Sequence, residues 1–393
     1  MQRRDFLRGG LAASTLLATG VPFSHSRAAT TLPSRAFGVN YLDLFYRYMT
    51  SPPMNTRAAV SALLLPLKSA HIPFARFSVS PYWPSEWVKY WQGSGQSTFL
   101  AKLDNVIHGA EDAGFLLIPS FLWNLSGISD VFGEHVNAWD NPSSQTRAFA
   151  ANFIGTIVNR YKSSSAIWMW EAGNEFNAYV DLPNGTTFWP PVNVSLGTPA
   201  QRTAPQDLLT TKIVNDIVSA VTTTIRQYDT TRPISTGFAC PLYDAYHLAQ
   251  GLPTSNPNEW AADSQAQYVQ AILNLTPAKS VESMHLYPQT LPPLKFGNPV
   301  TYAQELQTLV SAAQTLGTPS FLGEFGVPIS ANPSSDQAEF ANMMAAIQAS
   351  QINYSALWVY DFASQNSTFN VTFQNNRSYM LSALTAANKT YGI

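Results

Sequence analysis

Two glutamates stand out by their position in the sequence. Glu175 closely follows an apolar run in IWMWEAGNEFN, and Glu324 lies within one in FLGEFGVP. An unpaired carboxylate in a buried strand is costly, so a functional site explains both positions better than chance does. Two carboxyl groups can cleave a glycosidic bond, because one protonates the departing oxygen while the other attacks the sugar or activates water. This pair is the candidate catalytic group.

Each glutamate also has a simpler interpretation, because a single glutamate anywhere in a chain is usually a solvated side chain. Glu171 adds an ambiguity: it lies in the same apolar run as Glu175 and could itself serve as the acid. It stands deeper in the predicted strand. We therefore interpret Glu171 as a buried hydrogen-bonding support.

Short apolar runs, rich in β-branched and aromatic residues, alternate with segments of helical periodicity. Eight runs predict strands, at residues 37–44, 73–79, 115–122, 166–172, 233–239, 281–286, 320–325 and 355–360. This alternation is typical of repeated βα units, and eight of them predict an α/β fold, a single-domain (β/α)₈ barrel. The carboxyl ends of barrel strands face one pocket, so two glutamates far apart in the chain can meet there.

Apolar stripes predict the helices between these strands. Three stripes are clear: Phe99, Leu103, Val106, Ile107 and Ala110, ended by Gly114; Phe149, Phe153, Ile157 and Tyr161; and Leu208, Ile213, Ile217, Val221 and Ile225. The longest segments without a clear period follow strands, at 126–141, 178–203 and 288–299. We expect them to be irregular loops that crowd the carboxyl-terminal rim, where barrel enzymes hold their active sites.

The segments around both glutamates resemble the signatures of clan A glycoside hydrolases, and most closely those of family 5 cellulases and mannanases. They are WEAGNE at 170–175 and GEFG at 323–326. Further positions match in strand order, namely Arg76 in PFARFSVSP, His285 and Tyr287 in MHLYP, and Trp358 in LWVYDF. The resemblance implies a retaining enzyme in which Glu175 is the acid/base and Glu324 the nucleophile. Phe176 departs from the proline that many members carry there.

The resemblance also implies roles around the nucleophile. Arg76 and Tyr287 would keep Glu324 ionised, since a neighbouring cation lowers a carboxyl pKa by about 1 to 3 units. Glu175 would begin protonated, and the two carboxyl groups would titrate as a unit. Taken singly, Arg76 could instead be a structural ion-pair partner and Tyr287 a packing residue.

The remaining matched positions would bind the sugar. Asn174 would contact the 2-hydroxyl, and Trp358 would form a stacking floor. His285 belongs to the same set, although a core histidine is its simpler interpretation. Trp123, in FLWN after the third predicted strand, suggests another platform.

Five other tryptophans lie in predicted rim loops: Trp83, Trp87, Trp91, Trp139 and Trp189. Sugar rings stack on such side chains, so a glycan cleft is one interpretation and packing is the other. We expect about half of them to be structural.

The composition restricts the classes of molecule that this protein is expected to bind. Charged residues make up 12% of the chain and the formal net charge is -2, which disfavours nucleic acid and anionic membranes. Histidines show no metal-binding spacing, and neither a phosphate-binding glycine turn nor a Gly-x-Ser-x-Gly elbow is present. We expect a monomer that acts on an oligo- or polysaccharide without metal or cofactor.

The amino terminus has the features of an export signal. Arg3 and Arg4 precede a modest apolar stretch, and small residues surround Ala28 and Ala29. This pattern predicts a cleaved twin-arginine signal at 1–29, with a barrel domain at 30–393 in the periplasm or outside the cell. Cys240 is the one cysteine in the chain, so the fold has no internal disulfide.

The sequence therefore predicts a retaining glycoside hydrolase for β-linked sugars such as β-1,4-mannan or β-glucan. An exo-acting glycosidase or a transglycosylase on the same site stays open. A carbohydrate-binding barrel without catalysis is the alternative from another class.

Overall fold

The barrel predicted from the alternating runs is present. The computed structural model describes residues 32–52, 54–191, 201–251, 262–291, 295–297 and 299–393. Its strands are Ala36–Asn40 (β1), Phe74–Ser78 (β2), Leu116–Leu122 (β3), Trp170–Gly173 (β4), Ile234–Ser235 (β5), Ser283–Leu286 (β6), Phe321–Phe325 (β7) and Tyr354–Leu357 (β8). All pair in parallel in the order β5-β4-β3-β2-β1-β8-β7-β6. A bridge between Ser235 and Val281 joins the two outer strands and nearly closes the barrel.

Helices surround this sheet in a single domain. They are Tyr46–Thr50 (α1), Arg57–Ser69 (α2), Pro84–Glu86 (α3), Gly95–Ala113 (α4), Leu125–Phe132 (α5), Gln145–Tyr161 (α6), Thr211–Arg226 (α7), Ala245–Ala249 (α8), Gln265–Leu275 (α9), Tyr302–Leu316 (α10), Pro333–Ser350 (α11) and Ser378–Thr390 (α12). No helix in the described ranges has both the length and the apolar character needed to cross a membrane.

The predicted apolar stripes form the buried faces of α4, α6 and α7. Gly114 ends α4 in the left-handed conformation, with φ of 59°, as its position after the stripe predicts. One residue of the third stripe is wrongly placed: Leu208 precedes α7, because Thr210 caps that helix by accepting a hydrogen bond from the Ile213 N–H.

Two other expectations are wrong in detail. Residues 126–141 are not an irregular loop, since they contain most of α5 and a 3-10 helix at Val136–Asp140. The fifth strand is much shorter than 233–239, because Gly237 has a φ of 74° and turns the chain out of the sheet.

The barrel interior has an apolar base below a polar layer. Along β2, Phe74 and Arg76 alternate with Ala75 and Phe77, which pack in the core cluster between sheet and helices. Phe74 instead joins the small apolar cluster of Ala36, Leu116, Ile118, Met169, Val281, Phe321 and Ala356. Since side chains alternate across a strand, Arg76 lies one layer above this base, towards the carboxyl ends of the strands.

A register shift in β7 turns Glu324 into the barrel. Phe321 faces the interior base, whereas Leu322 and Phe325 both pack in the outer core, which strict alternation does not allow. The pairing with β8 shifts between Leu322 and Phe325, and the extra residue changes which face the chain presents. Gly323 permits this, because a Cβ there would lie 2.5 Å from the Ser283 Oγ.

Glu282 is a buried carboxyl group outside the polar layer, and its burial affects the stability of the fold. Burial raises the pKa of Glu282 to about 8, although hydroxyl groups of Thr276 and Thr236 donate to it. Because folding raises this pKa, protonated Glu282 makes its full contribution to the free energy of unfolding below pH 4.5. That contribution is lost as the pH rises towards 8. At pH 7 its proton uptake on folding costs about 3 kcal/mol, at 1.36 kcal/mol per pKa unit.

We therefore expect Glu282→Gln, which is neutral at every pH, to raise the free energy of unfolding by about 3 kcal/mol at pH 7 and by little at pH 4. Urea unfolding at both pH values measures this, with Glu339→Gln on α11 as the control. Equal stability of Glu282→Gln and the parent at pH 7 would contradict the assignment of a neutral buried carboxyl group.

Candidate active site

Glu175 and Glu324 meet at the carboxyl end of the barrel, beside His285. The His285 Nδ1 lies 2.8 Å from the Glu175 Oε1 and 3.6 Å from the Glu324 Oε2. One oxygen of each glutamate and this nitrogen lie within 4.8 Å of one another. The Glu324 side chain is 5% exposed and that of Glu175 36%, so the first lies at the bottom of the site and the second at its opening.

Arg76, fully buried, connects the polar groups of the site. Its Nη1 donates to the Glu324 Oε1 at 2.7 Å, its Nε to the Glu171 Oε1 at 2.6 Å and its Nη2 to the Asn174 Oδ1 at 2.7 Å. Two carboxyl groups thus share one guanidinium, each accepting one hydrogen bond from a different nitrogen. The contacts match the interpretation of Glu171 as a buried support, and Ser235 donates to its second oxygen at 3.1 Å.

Asn40 and Ser235 complete the polar layer, and sequence reasoning did not single them out. The Asn40 Oδ1 accepts a hydrogen bond from Arg76 at 3.0 Å, while its Nδ2 donates to the Gly323 carbonyl at 2.9 Å. Asn40 therefore ties the arginine to the strand that carries Glu324. The sequence feature that could have identified Asn40 is its position as a polar residue within the predicted strand 37–44, where β1 ends.

A turn after β4 exposes Glu175 to the cleft. Glu175 has a φ of 54°, in the left-handed region, and its N–H donates to the Gly237 carbonyl at 2.8 Å. A Cβ on Gly237 would lie 1.8 Å from the Gly173 carbonyl oxygen, so only glycine allows this contact between the two segments. Asn174 accepts from Arg76 through its Oδ1, which directs its amide nitrogen away from the guanidinium.

Burial dominates the protonation of both glutamates. It raises the pKa of Glu175, which the charge of Arg76 opposes. It also raises the pKa of Glu324, although His285, Arg76 and the hydrogen bond from Tyr287 lower it. Arg76 and Tyr287 thus lower the pKa of Glu324, as expected, but the cost of burying the charge exceeds their effect and the net shift is upward.

His285 is neutral at pH 7, because burial lowers its pKa to about 4. A neutral imidazole has one N–H, and Nδ1 is the nitrogen within reach of both glutamates. Its Nε2 is buried without a hydrogen-bond partner in the described part of the chain. His285 can therefore exchange a hydrogen bond with Glu175 without adding a charge to the site.

Tyr287 contacts the other oxygen of Glu324, with its hydroxyl donating to Oε2 at 2.5 Å. Thr290 fixes the tyrosine backbone, because its hydroxyl accepts from the Tyr287 N–H and donates to the Tyr287 carbonyl. The Thr290 carbonyl in turn accepts from Lys295, which forms a buried ion pair with Glu305 on α10. The start of the predicted loop 288–299 is thus anchored to the outer helix layer.

Trp358 and Trp123 form an aromatic wall beside the two glutamates. Their rings stack at 6.3 Å between centroids, inclined by 22°, and the Arg76 guanidinium lies 4.9 Å from the Trp123 ring centre. Gln365 accepts from the Trp358 indole N–H at 2.9 Å and fixes that ring. The structure thus brings all eight predicted site residues into one group: Arg76, Trp123, Asn174, Glu175, His285, Tyr287, Glu324 and Trp358.

Most of the other tryptophans do not belong to the cleft. Trp87, Trp91 and Trp139 are buried in the core between the barrel and its helices. A cleft interpretation is wrong for these three, because the segments that carry them are helical and turn the rings inward. Trp83 and Trp189 are half-buried.

Metal coordination would compete with contacts that the site already makes. Glu175, His285 and Glu324 could supply three ligand atoms. Both oxygens of Glu324, however, already accept hydrogen bonds from Arg76 and Tyr287. A guanidinium 2.7 Å from one of these oxygens also repels a second cation.

Several solved structures share this fold. An endo-1,4-beta-mannanase from Rhizomucor miehei superposes with a TM-score of 0.61 at 16% identity, over 91% of this chain and 95% of that one. An endoglucanase from Thermotoga maritima does so with a TM-score of 0.51 at 16% identity, over 87% of this chain and 100% of that one. At these identities the likeness concerns the fold.

Sequence comparison is more specific. A stretch of 83 residues is 36% identical to mannan endo-1,4-beta-mannosidase A of Hypocrea jecorina, covering 19% of this chain and 18% of that protein. Residues 51–364 match the family described as Cellulase (glycosyl hydrolase family 5). The chain has a (β/α)₈ barrel and belongs to glycosyl hydrolase family 5.

Proposed function

We propose that this protein is a retaining β-glycosidase in which Glu324 is the nucleophile and Glu175 the acid/base. The spacing of the two carboxyl groups carries the proposal. Retaining enzymes hold them about 5 to 5.5 Å apart, and inverting enzymes about 6.5 to 9.5 Å apart to admit a water. Oxygens of Glu175 and Glu324 within 4.8 Å of each other support the retaining arrangement.

In the first step, an oxygen of ionised Glu324 forms a bond to the anomeric carbon. The bond from that carbon to the glycosidic oxygen breaks, and the leaving oxygen keeps the electron pair and takes the proton of Glu175. Burial raises the pKa of Glu175 and favours its protonated form, whereas hydrogen bonds from Arg76 and Tyr287 to Glu324 favour the ionised form of the nucleophile. The product is a glycosyl ester on Glu324.

In the second step, Glu175 acts as a base. It takes a proton from water, the water oxygen bonds to the anomeric carbon, and the ester bond to Glu324 breaks. Two inversions leave the configuration unchanged. The His285 Nδ1, 2.8 Å from Glu175, can donate to this carboxylate once its proton has left.

Arg76 and Tyr287 stabilise the charge that returns to Glu324 when the ester breaks, since each donates to one of its oxygens. Asn174 is held by Arg76 and would bind the sugar 2-hydroxyl. Trp358 and Trp123 would provide the apolar surface against the ring of the bound sugar.

The proposed substrates are β-1,4-mannan and β-glucan. The stretch related to a mannan endo-1,4-beta-mannosidase supports mannan first, and the fold is shared with an endoglucanase. The exo-acting alternative keeps support from an exo-beta-1,4-mannosidase of Opitutaceae bacterium, which has a TM-score of 0.57 at 16% identity. The family and the intact glutamate pair argue against a barrel that only binds sugars.

The test is hydrolysis of mannans, β-glucans, xylans and aryl β-glycosides by the purified protein, with the anomer of the first product followed by NMR. We expect the β-anomer to appear first. An initial α-anomer would overturn the retaining mechanism, and the absence of hydrolysis with retained glycan binding would favour the non-catalytic barrel.

Tyr287→Phe should shift the acidic limb of the pH profile of kcat/KM to higher pH. The lost hydrogen bond lowers the pKa of Glu324 in the parent, so without it Glu324 is protonated at pH values where the parent is still active. Near the optimum, kcat/KM should fall about tenfold, as expected for a hydrogen bond to a charged group. An acidic limb that stays in place would mean that Tyr287 does not act on the nucleophile.

We also propose that the protein is exported through its twin-arginine signal and works as a monomer. The segment 1–29 lies outside the described residues. Replacing Arg3 and Arg4 together by lysine should retain the protein in the cytoplasm, as fractionation would show. Normal export of that variant would contradict the assignment.

A further inference from the structure

Two exposed aromatic rings stack on each other in the segment after Glu175. Tyr179 is 40% exposed and Phe188 is 43% exposed. Their ring centroids are 4.3 Å apart and their planes are inclined by only 10°. Two aromatic rings held face to face therefore leave apolar surface open to solvent.

The pair lies close to Glu175. Tyr179 ends the 3-10 helix Phe176–Tyr179, and Glu175 caps that helix at its start. A 3-10 helix rises about 2 Å per residue, so Tyr179 lies about 8 Å further along its axis. Burial raises the pKa of the Tyr179 phenol and the charge of Glu175 raises it further, which fits a ring facing the acid/base.

Phe188 stacks on one face of the Tyr179 ring, and the side away from Phe188 is its free face. The tyrosine is 40% exposed despite this stacking. The following residues are fixed, because the Asp181 N–H donates to the Leu209 carbonyl at 2.8 Å and its carboxylate accepts from the Thr211 N–H at 3.0 Å, at the start of α7. A held ring loses little conformational freedom when a ligand stacks on it.

Tyr82 and Trp83, after β2, form a second aromatic pair at a centroid distance of 4.9 Å. Burial raises the pKa of Tyr82 and the phenol of Tyr179 raises it further, which fits two phenols that lie near each other. The Asn124 side chain holds this segment by donating to the Tyr82 carbonyl at 3.0 Å. Two aromatic pairs therefore follow β2 and β4, at the carboxyl end of the barrel.

We propose that the free face of Tyr179, supported from behind by Phe188, binds the sugar on the leaving-group side of the scissile bond. This inference rests on the proposed role of Glu175, since the acid must lie at the oxygen between the two sugars. The next ring outward then meets Tyr179. The ligand is an uncharged β-linked pyranose, whose apolar face stacks on the phenol ring.

Binding tests the subsite independently of turnover. In the Glu324→Ala background, titration calorimetry with β-1,4-mannotetraose and cellotetraose should show about tenfold weaker binding for Tyr179→Ala, equivalent to about 1.4 kcal/mol. Phe188→Ala should weaken binding less, and Tyr179→Phe should bind like the parent because it keeps the ring. Tyr228→Ala is the matched control: that tyrosine is 39% exposed, but it lies between α7 and β5, at the opposite end of the barrel.

Turnover rates of the active protein distinguish a failure of the Tyr179 subsite from a failure of the proposed catalysis. A β-glycosyl fluoride has no sugar on the leaving-group side, so Tyr179→Ala should lower kcat/KM about tenfold more for the tetrasaccharide than for the fluoride. Equal losses of kcat/KM on both substrates would overturn the subsite. It would also be overturned if tetrasaccharide binding were absent or unaffected by Tyr179→Ala. Failure of the parent to hydrolyse either substrate, with binding still sensitive to Tyr179, would overturn only the proposed catalysis.

Discussion

Glu324→Ala should lower kcat on a β-linked substrate by about 10⁵-fold or more, because no other group can form the covalent intermediate. Glu171 cannot replace it, since it is fully buried and both of its oxygens accept hydrogen bonds from Arg76 and Ser235. The variant should still fold, because Arg76 keeps Glu171 as its counter-ion. Steady-state rates with an aryl β-glycoside measure the effect.

Azide identifies the role of Glu324 more closely. In Glu324→Ala, azide can enter the space that the carboxylate leaves and attack an activated β-glycoside once, which gives the α-glycosyl azide. Glu339→Gln serves as the control for a carboxylate outside the site and should keep parental activity. Parental activity in Glu324→Ala would refute the assignment of the nucleophile.

Glu175→Ala should lower kcat/KM by about 10²- to 10⁴-fold on substrates with a poor leaving group, the usual contribution of a general acid. The loss should be small on an activated aryl glycoside, which needs no proton to depart. There the glycosyl ester on Glu324 should accumulate, because no base remains to activate water. Rates across leaving groups of graded pKa measure this difference.

Azide should restore turnover of Glu175→Ala, since the anion attacks the ester without a base. The product should be the β-glycosyl azide, the opposite anomer to that from Glu324→Ala. Equal loss of rate for good and poor leaving groups, without azide rescue, would mean that Glu175 only holds the site together. His285 would then be the next acid to test, although its pKa of about 4 makes it a poor proton donor at pH 7.

The barrel could be predicted from sequence because its strands repeat a simple pattern. Every strand is a short apolar run, and each glutamate follows or lies in one, so topology alone brings distant residues together. The two glutamates were predicted for the same reason, because the carboxyl ends of barrel strands face one pocket. The other site residues were assigned by the resemblance to family 5. Asn40 was missed because one asparagine at the end of an apolar run carries no motif.

Other features depend on contacts that no local pattern carries. The register shift in β7 cannot be anticipated from FLGEF, yet it turns Glu324 inward. Trp87 and Trp139 are in the core because their segments are helical, and the helix α5 was mistaken for a loop. The net pKa of Glu324 is a balance between burial and the charge of Arg76, which requires the geometry of the whole site.

The most direct test of the mechanism is to trap the covalent intermediate. In a 2-deoxy-2-fluoro-β-glycosyl fluoride, the fluorine at C2 slows both steps, but the anomeric fluoride leaves easily enough for the first step to occur. The second step is then slow, so the sugar should remain attached to the protein. We expect mass spectrometry to find one added sugar, on the peptide that contains Glu324, and none in the Glu324→Ala protein. An adduct on Glu175 or Glu171, or turnover that releases the α-anomer without any adduct, would contradict the account.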